Sequence, residues 1–168
     1  MTLVRRMFAL HLAVAAAALA AGFWISGSFV GALAAALAAF MWYYTSLRSM
    51  HGYETALLLV FVLGAAGGYY WLSISPLLIL LTAVASLGAW DLDYFLQRLK
   101  TAEHVEGEQG LGISHLRRLA TTEALGLLLG VIAAALHTTV SFWLAVVLVL
   151  LGVVGVSQLI LYVRRQME

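Results

Sequence analysis

The sequence has no cysteine, one proline and few charged residues. Of its 168 residues, 10% are charged and 64% are hydrophobic, whereas soluble domains average about 25% charged and about 45–50% apolar residues. The absence of cysteine excludes disulfides, thiol catalysis and metal centres held by thiolates. The net charge of +1 excludes a nucleic-acid-binding surface built on excess basic charge. These deficits together indicate an integral membrane protein.

Long apolar stretches occupy most of the chain and predict membrane-spanning helices, each of which needs about 20 residues. We place six of them, at residues 6–24, 28–47, 53–72, 75–90, 117–137 and 141–163. The predicted fold is therefore an all-α integral membrane protein with six transmembrane helices, arranged as three hairpins with short external turns. The first stretch also has features of a signal peptide, but its length and the span directly after it favour a retained helix.

The basic residues define the sidedness of these spans. With six spans, every lysine and arginine falls on the same side of the membrane, and basic loops are typically cytoplasmic. The residues concerned are Arg5, Arg6, Arg48, Arg98, Lys100, Arg117, Arg118, Arg164 and Arg165. We therefore predict a protein of the cytoplasmic membrane with both termini in the cytoplasm and with anionic inner-leaflet lipids as neighbours.

The only long polar stretch, residues 91–116, lies between the fourth and fifth spans of this single domain, 1–168. We predict that it begins as an extension of the fourth helix and continues as an acidic, glycine-bearing loop, with Ser114 as N-cap of the fifth helix. On the extension, Asp91 and Asp93 point roughly 200° apart. They are therefore poorly placed to share a metal or to act as an acid–base pair.

Three polar residues lie near the cytoplasmic ends of otherwise apolar helices: His11, Glu54 and Glu123. Charge in a membrane span needs a partner or a water-filled crevice. If the hairpins pack around one axis, the three side chains converge on an inner vestibule; otherwise, each pairs locally. Glu54 also has a simple explanation, because an acid at a helix N-terminus is favoured by the helix dipole.

The candidate binding residues for a substrate or an ion all lie at the inner side. They are His11, Glu54, Asp91, Asp93, Arg98, His115 and Glu123. Arg48, Arg117 and Arg118 are the predicted contacts for lipid headgroups. The sequence contains no recognisable catalytic, nucleotide-binding or metal-binding motif, so we assign no catalytic residue, metal or cofactor.

Small residues recur at the spacing that lets membrane helices approach closely. The pairs are Gly27 with Gly31, Gly64 with Gly68, and Gly126 with Gly130. Alanines also cover much of the first helix. Such faces serve either internal packing or docking of another membrane protein or a second copy of the chain.

Three functions from different classes fit these observations. The first is a non-enzymatic membrane subunit or adaptor that docks through small-residue helix faces and the segment 91–116. The second is a small-solute transporter or channel with the vestibule of His11, Glu54 and Glu123. The third is an enzyme acting on lipids at the inner leaflet. The absence of catalytic motifs and of charge at the bilayer midplane favours the first.

Overall fold

The computed structural model describes residues 2–48, 52–101 and 108–135, and these residues form an all-helical bundle. It contains five helices: α1 Thr2–Ile25, α2 Phe29–Leu47, α3 Tyr53–Leu72, α4 Pro76–Thr101 and α5 Glu108–Ala135. Within the described part of the chain, α1 to α4 are long and apolar enough to cross a membrane. This architecture is that of a helical membrane protein. The predicted sixth span, 141–163, lies outside the described residues.

Short turns precede α2 and α4, and local sequence explains where these two helices begin. Ser28 caps α2, and its hydroxyl accepts a hydrogen bond from the backbone N–H of Gly31 at 3.3 Å. Gly27 precedes it at a φ of +81°, a left-handed conformation that glycine adopts without strain. Pro76 opens α4, where its missing N–H costs no hydrogen bond.

Helix α1 lies at the centre of the bundle and contacts each of the other four described helices. One stripe of it is buried, consisting of Val4, Phe8, Leu12, Ala15 and Leu19. The spacing of three and four residues places these side chains on one face of a helix. The most extensive packing is between α1 and α4. Ala15, Ala18 and Gly22 of α1 are buried, whereas Ala13, Ala17 and Ala21 remain exposed.

The close approach of α4 depends on small residues. Ala85 and Ala89 are buried on the inner face of α4, together with Leu92 and Leu96. Small side chains permit the dense packing that stabilises helix pairs in lipid, where no hydrophobic gain separates helix–helix from helix–lipid contact. The continuous helix also carries the predicted extension of the fourth span as far as Thr101.

The glycine pairs have different roles in the structure. Gly68 is buried, and a Cβ there would lie 2.6 Å from Ile74 Cδ1, whereas Gly64 lies more loosely against Leu19. Gly27 lies in a turn and does not pair with Gly31 on a helix face. Gly126 has open space where a Cβ would stand. Internal packing thus accounts for part of the small-residue pattern.

Helix α5 begins at Glu108, nine residues before the predicted start at Arg117. Ser114 is therefore not an N-cap, and its hydroxyl instead donates to the carbonyl of Leu111 at 2.9 Å inside the helix. Glycine costs only about 1 kcal/mol in a helix, and Gly112 lies where α5 passes α1. A Cβ at Gly112 would stand 3.2 Å from Val4 Cγ2, so its small size serves helix packing.

Candidate functional site

A groove with a volume of about 490 Å³ separates α4 from α5. Its walls are mainly apolar and include Val84 and Leu87 of α4 and Leu119 of α5. Gly126 widens the groove, because it places no side chain there. Polar residues border the groove at two levels, which are separated by eight residues of α5, or about 12 Å.

The first polar level contains His115 of α5 and Asp91 of α4. The Nε2 atom of His115 lies 2.8 Å from Asp91 Oδ2, and the two side chains are 26% and 37% exposed. The imidazole ring also stacks on Phe95, with ring centroids 4.1 Å apart and planes within 4°. The Nε2 atom is buried, and its contact with Asp91 is not aligned as a hydrogen bond, so stacking on Phe95 is the contact that fixes the plane of the ring.

The second level is the pair of His11 and Glu123, which joins α1 to α5. Nε2 of His11 lies 3.0 Å from Glu123 Oε2, and the side chains are 15% and 19% exposed. Nδ1 of His11 lies 2.8 Å from the carbonyl of Met7, to which only an N–H can donate. The Nε2–Oε2 hydrogen bond therefore needs one further proton, on either the imidazole or the carboxyl. In both cases the pair has no net charge, which suits a membrane-spanning region.

Gly88 of α4 makes room for this pair. A Cβ at Gly88 would collide with Glu123 Oε1 and would lie 2.7 Å from His11 Cδ2. The Oε1 atom is buried and has no hydrogen-bond partner among the described residues. A second cavity of about 150 Å³ also borders His11 and Glu123. The pair is thus packed tightly against α4 at Gly88, and its side chains line cavities of the bundle.

Asp93 faces away from the groove and joins α4 to α2. It is 2% exposed; its Oδ2 accepts from Trp42 Nε1 at 3.0 Å and its Oδ1 accepts from Ser46 Oγ at 2.6 Å. Both carboxylate oxygens are therefore engaged in helix packing. Asp91 and Asp93 face different directions because residues two apart on a helix point roughly 200° apart.

The remaining candidate residues lie outside the groove, with one exception. Glu54 accepts a hydrogen bond from the backbone N–H of Gly52 at 2.9 Å at the start of α3, and it is not part of the His11–Glu123 pair. Arg98 and Arg48 each lie over a tyrosine ring, at 4.7 Å from its centroid. Arg117 and Arg118 are exposed on α5, and only Arg118 borders the groove.

Several residues of the site were not singled out from the sequence. Gly88, Phe95 and Trp42 each act through a partner on another helix. No local motif marks them, because a glycine or an aromatic residue in an apolar helix is ordinary. Within residues 2–48, 52–101 and 108–135, no group of three or more His, Asp and Glu side chains is arranged to hold a metal ion.

Comparisons of this chain with protein-family models, with curated proteins and with solved structures give no match. The geometry of the bundle and of its groove is therefore the basis for inferring its function.

Proposed function

We propose that this protein is a membrane-embedded lipid-binding protein whose groove between α4 and α5 holds one lipid molecule. The observation that carries the proposal is a mainly apolar groove with a polar end at Asp91 and His115, and with Glu123 of the deeper level paired to His11. Val84, Leu87 and Leu119 offer contacts for an acyl chain, while His115 and Arg118 lie where a headgroup would be. Ligand sites in proteins typically combine mostly apolar walls with a few convergent polar groups.

The level of the polar end in the bilayer supports a lipid as the occupant. Trp90 borders the groove beside Asp91, and tryptophan is enriched at membrane interfaces. Arg117 and Arg118 are exposed at the same level of α5, and basic residues there attract lipid headgroups by about 1 kcal/mol each. A lipid in the groove would thus keep its head near the interface and its chain among apolar side chains.

The proposed topology has six spans in three hairpins, with both termini in the cytoplasm. The single-sided distribution of lysine and arginine supports it, as does the small number of residues between consecutive helices from α1 to α4. Because the chain has no cysteine, single cysteines report sidedness cleanly. Cysteines at Thr2 and Gly110 should react with a membrane-impermeant thiol reagent only from the cytoplasmic side. One at Ser75 should react only from outside, and the reverse pattern would overturn the orientation.

The docking function proposed from the sequence has support from part of α1, because Ala13, Ala17 and Ala21 are exposed at a spacing of four residues. Ala15, Ala18 and Gly22 of α1 are buried within the bundle, so these small residues serve contacts between the helices of this chain. The vestibule proposed for a transporter has partial support, because His11 and Glu123 meet while Glu54 binds a neighbouring backbone group. The lipid-acting enzyme could not use Asp93 in its site, because both carboxylate oxygens accept hydrogen bonds from Trp42 and Ser46.

Filling the groove tests the proposal directly. The substitution Gly126→Leu places a side chain where nothing lies within 4 Å of the added Cβ, so it should obstruct the groove without a clash against the described residues. We expect the variant to fold and to lose the lipid that the wild-type protein retains through purification. Native mass spectrometry of gently extracted protein measures the retained lipid.

The matched control is Gly110→Leu, which makes the same change in α5 at another position with open space. Gly110 does not border the groove, so its variant should keep the lipid. Equal lipid retention in both variants would refute the proposed site. A second polypeptide at fixed stoichiometry, with no bound lipid, would instead favour the subunit or adaptor function.

A further inference from the structure

We propose that the groove selects a zwitterionic phospholipid headgroup, in which a phosphate is linked to an ammonium group. This inference rests on the proposed lipid-binding function and specifies its ligand. It derives from the charges at the polar end of the groove, where α4 contributes an acid and α5 contributes a base. A headgroup that carries both charges matches both sides.

The α4 side of the polar end suits an ammonium group. Asp91 is 37% exposed, and its Oδ2 atom lies 2.8 Å from His115 Nε2. Trp90 borders the groove next to it and stacks on Tyr94, with ring centroids 5.9 Å apart. A carboxylate and an aromatic ring both attract a cationic nitrogen, through charge-assisted hydrogen bonds and cation–π contact.

The α5 side suits a phosphate. Arg118 is exposed at the groove, and the described residues provide no carboxylate in salt-bridge contact with its guanidinium. A guanidinium matches the geometry of phosphate oxygens and is always charged. His115 lies one helical turn away on the same helix and is held in place by Phe95, so a phosphate at Arg118 also has an imidazole nearby.

The carboxylate of Asp91 argues against an anionic headgroup as the preferred ligand. A phosphatidylglycerol head brings a negative charge and no positive one, so it would satisfy Arg118 but would offer Asp91 no cation beyond its existing contact with His115. Placing the phosphate of an anionic lipid near the Asp91 carboxylate disfavours binding of that lipid. The groove should therefore prefer zwitterionic lipids, whereas Arg48 and Arg117 at the membrane surface attract anionic lipids.

Competition between lipids with identical acyl chains tests the inference. Protein would be exchanged into mixed micelles containing equal amounts of 1-palmitoyl-2-oleoyl phosphatidylethanolamine and the corresponding phosphatidylglycerol. Native mass spectrometry would then compare the bound species. We expect the ethanolamine lipid to be enriched about fivefold over the glycerol lipid, as one partly exposed charge contact provides. Asp91→Asn should remove this enrichment while total lipid occupancy persists.

Glu54→Gln is the matched control, because it neutralises an acid that lies outside the groove. It should leave the enrichment unchanged. Equal binding of the two lipids by the wild-type protein, or enrichment of the glycerol lipid, would overturn the headgroup preference. If neither lipid stays bound, or if Gly126→Leu retains as much as the wild type, the proposed lipid-binding function itself fails. Loss of preference alone leaves that function intact.

Discussion

Replacing Gly88 by alanine should destabilise the bundle by about 1–3 kcal/mol, the usual cost of forcing an extra methyl group into a packed interior. The added Cβ would collide with Glu123 Oε1 and approach His11 Cδ2. Both neighbouring groups are side chains that are hydrogen-bonded to each other, so relief requires displacing the Glu123 carboxyl from His11 or moving α4 away from α5. Thermal unfolding of the purified protein in detergent would measure the loss.

Two further variants distinguish this steric cause from a general effect of glycine replacement. Gly126→Ala adds the same methyl group in open space, and it should be neutral or slightly stabilising because alanine favours helix. Glu123→Ala removes the side chain that Gly88→Ala would strike. The double variant should therefore be little less stable than Glu123→Ala alone. A Gly88→Ala protein as stable as the wild type would contradict the described packing.

Replacing Asp93 by alanine should cost about 3 kcal/mol of stability, because two donors would lose their acceptor. The indole N–H of Trp42 and the hydroxyl of Ser46 both donate to this buried carboxylate. Leaving a buried donor unsatisfied typically costs about 1–3 kcal/mol. Trp42 is itself fully buried, so water cannot readily replace the lost partner.

Asp93→Asn is the comparison that isolates the hydrogen bonds from the volume of the side chain. Asparagine keeps one acceptor oxygen and nearly the same shape, so the stability of Asp93→Asn should fall between those of the wild type and the alanine variant. Unfolding in denaturant or by heat would rank the three proteins. If alanine and asparagine cost equally little, Asp93 would not join α2 to α4 as described.

The first four helices were predictable because each is an apolar stretch of spanning length bounded by glycine, serine, proline or charge. The predicted third span, 53–72, agrees with α3 at both ends. The start of α5 was not predictable in the same way. Glu108 and Gly110 are residue types that are common in loops. The packing of Gly112 against Val4 depends on how α5 passes α1, which the local sequence does not reveal.

The candidate site was predictable residue by residue but not in its pairing. The cost of polar groups in an apolar helix identified His11 and Glu123, and helical spacing separated Asp91 from Asp93. Which partners meet depends on contacts between helices distant in the chain, such as the 3.0 Å contact between His11 and Glu123. Gly88 had no signal of its own, because its role follows from what the facing helices place against it.

The most direct test of the central claim is to locate a bound lipid on the protein. A phospholipid with a photoactivatable group in its acyl chain would be cross-linked in membranes, and the labelled residues would be identified by peptide mass spectrometry. The account predicts adducts concentrated at Leu87 and Leu119, which line the groove, and their loss in Gly126→Leu. Labelling spread evenly over these residues and over Leu59 and Leu63, exposed on α3, would mean that lipid merely surrounds the bundle and would contradict a specific groove.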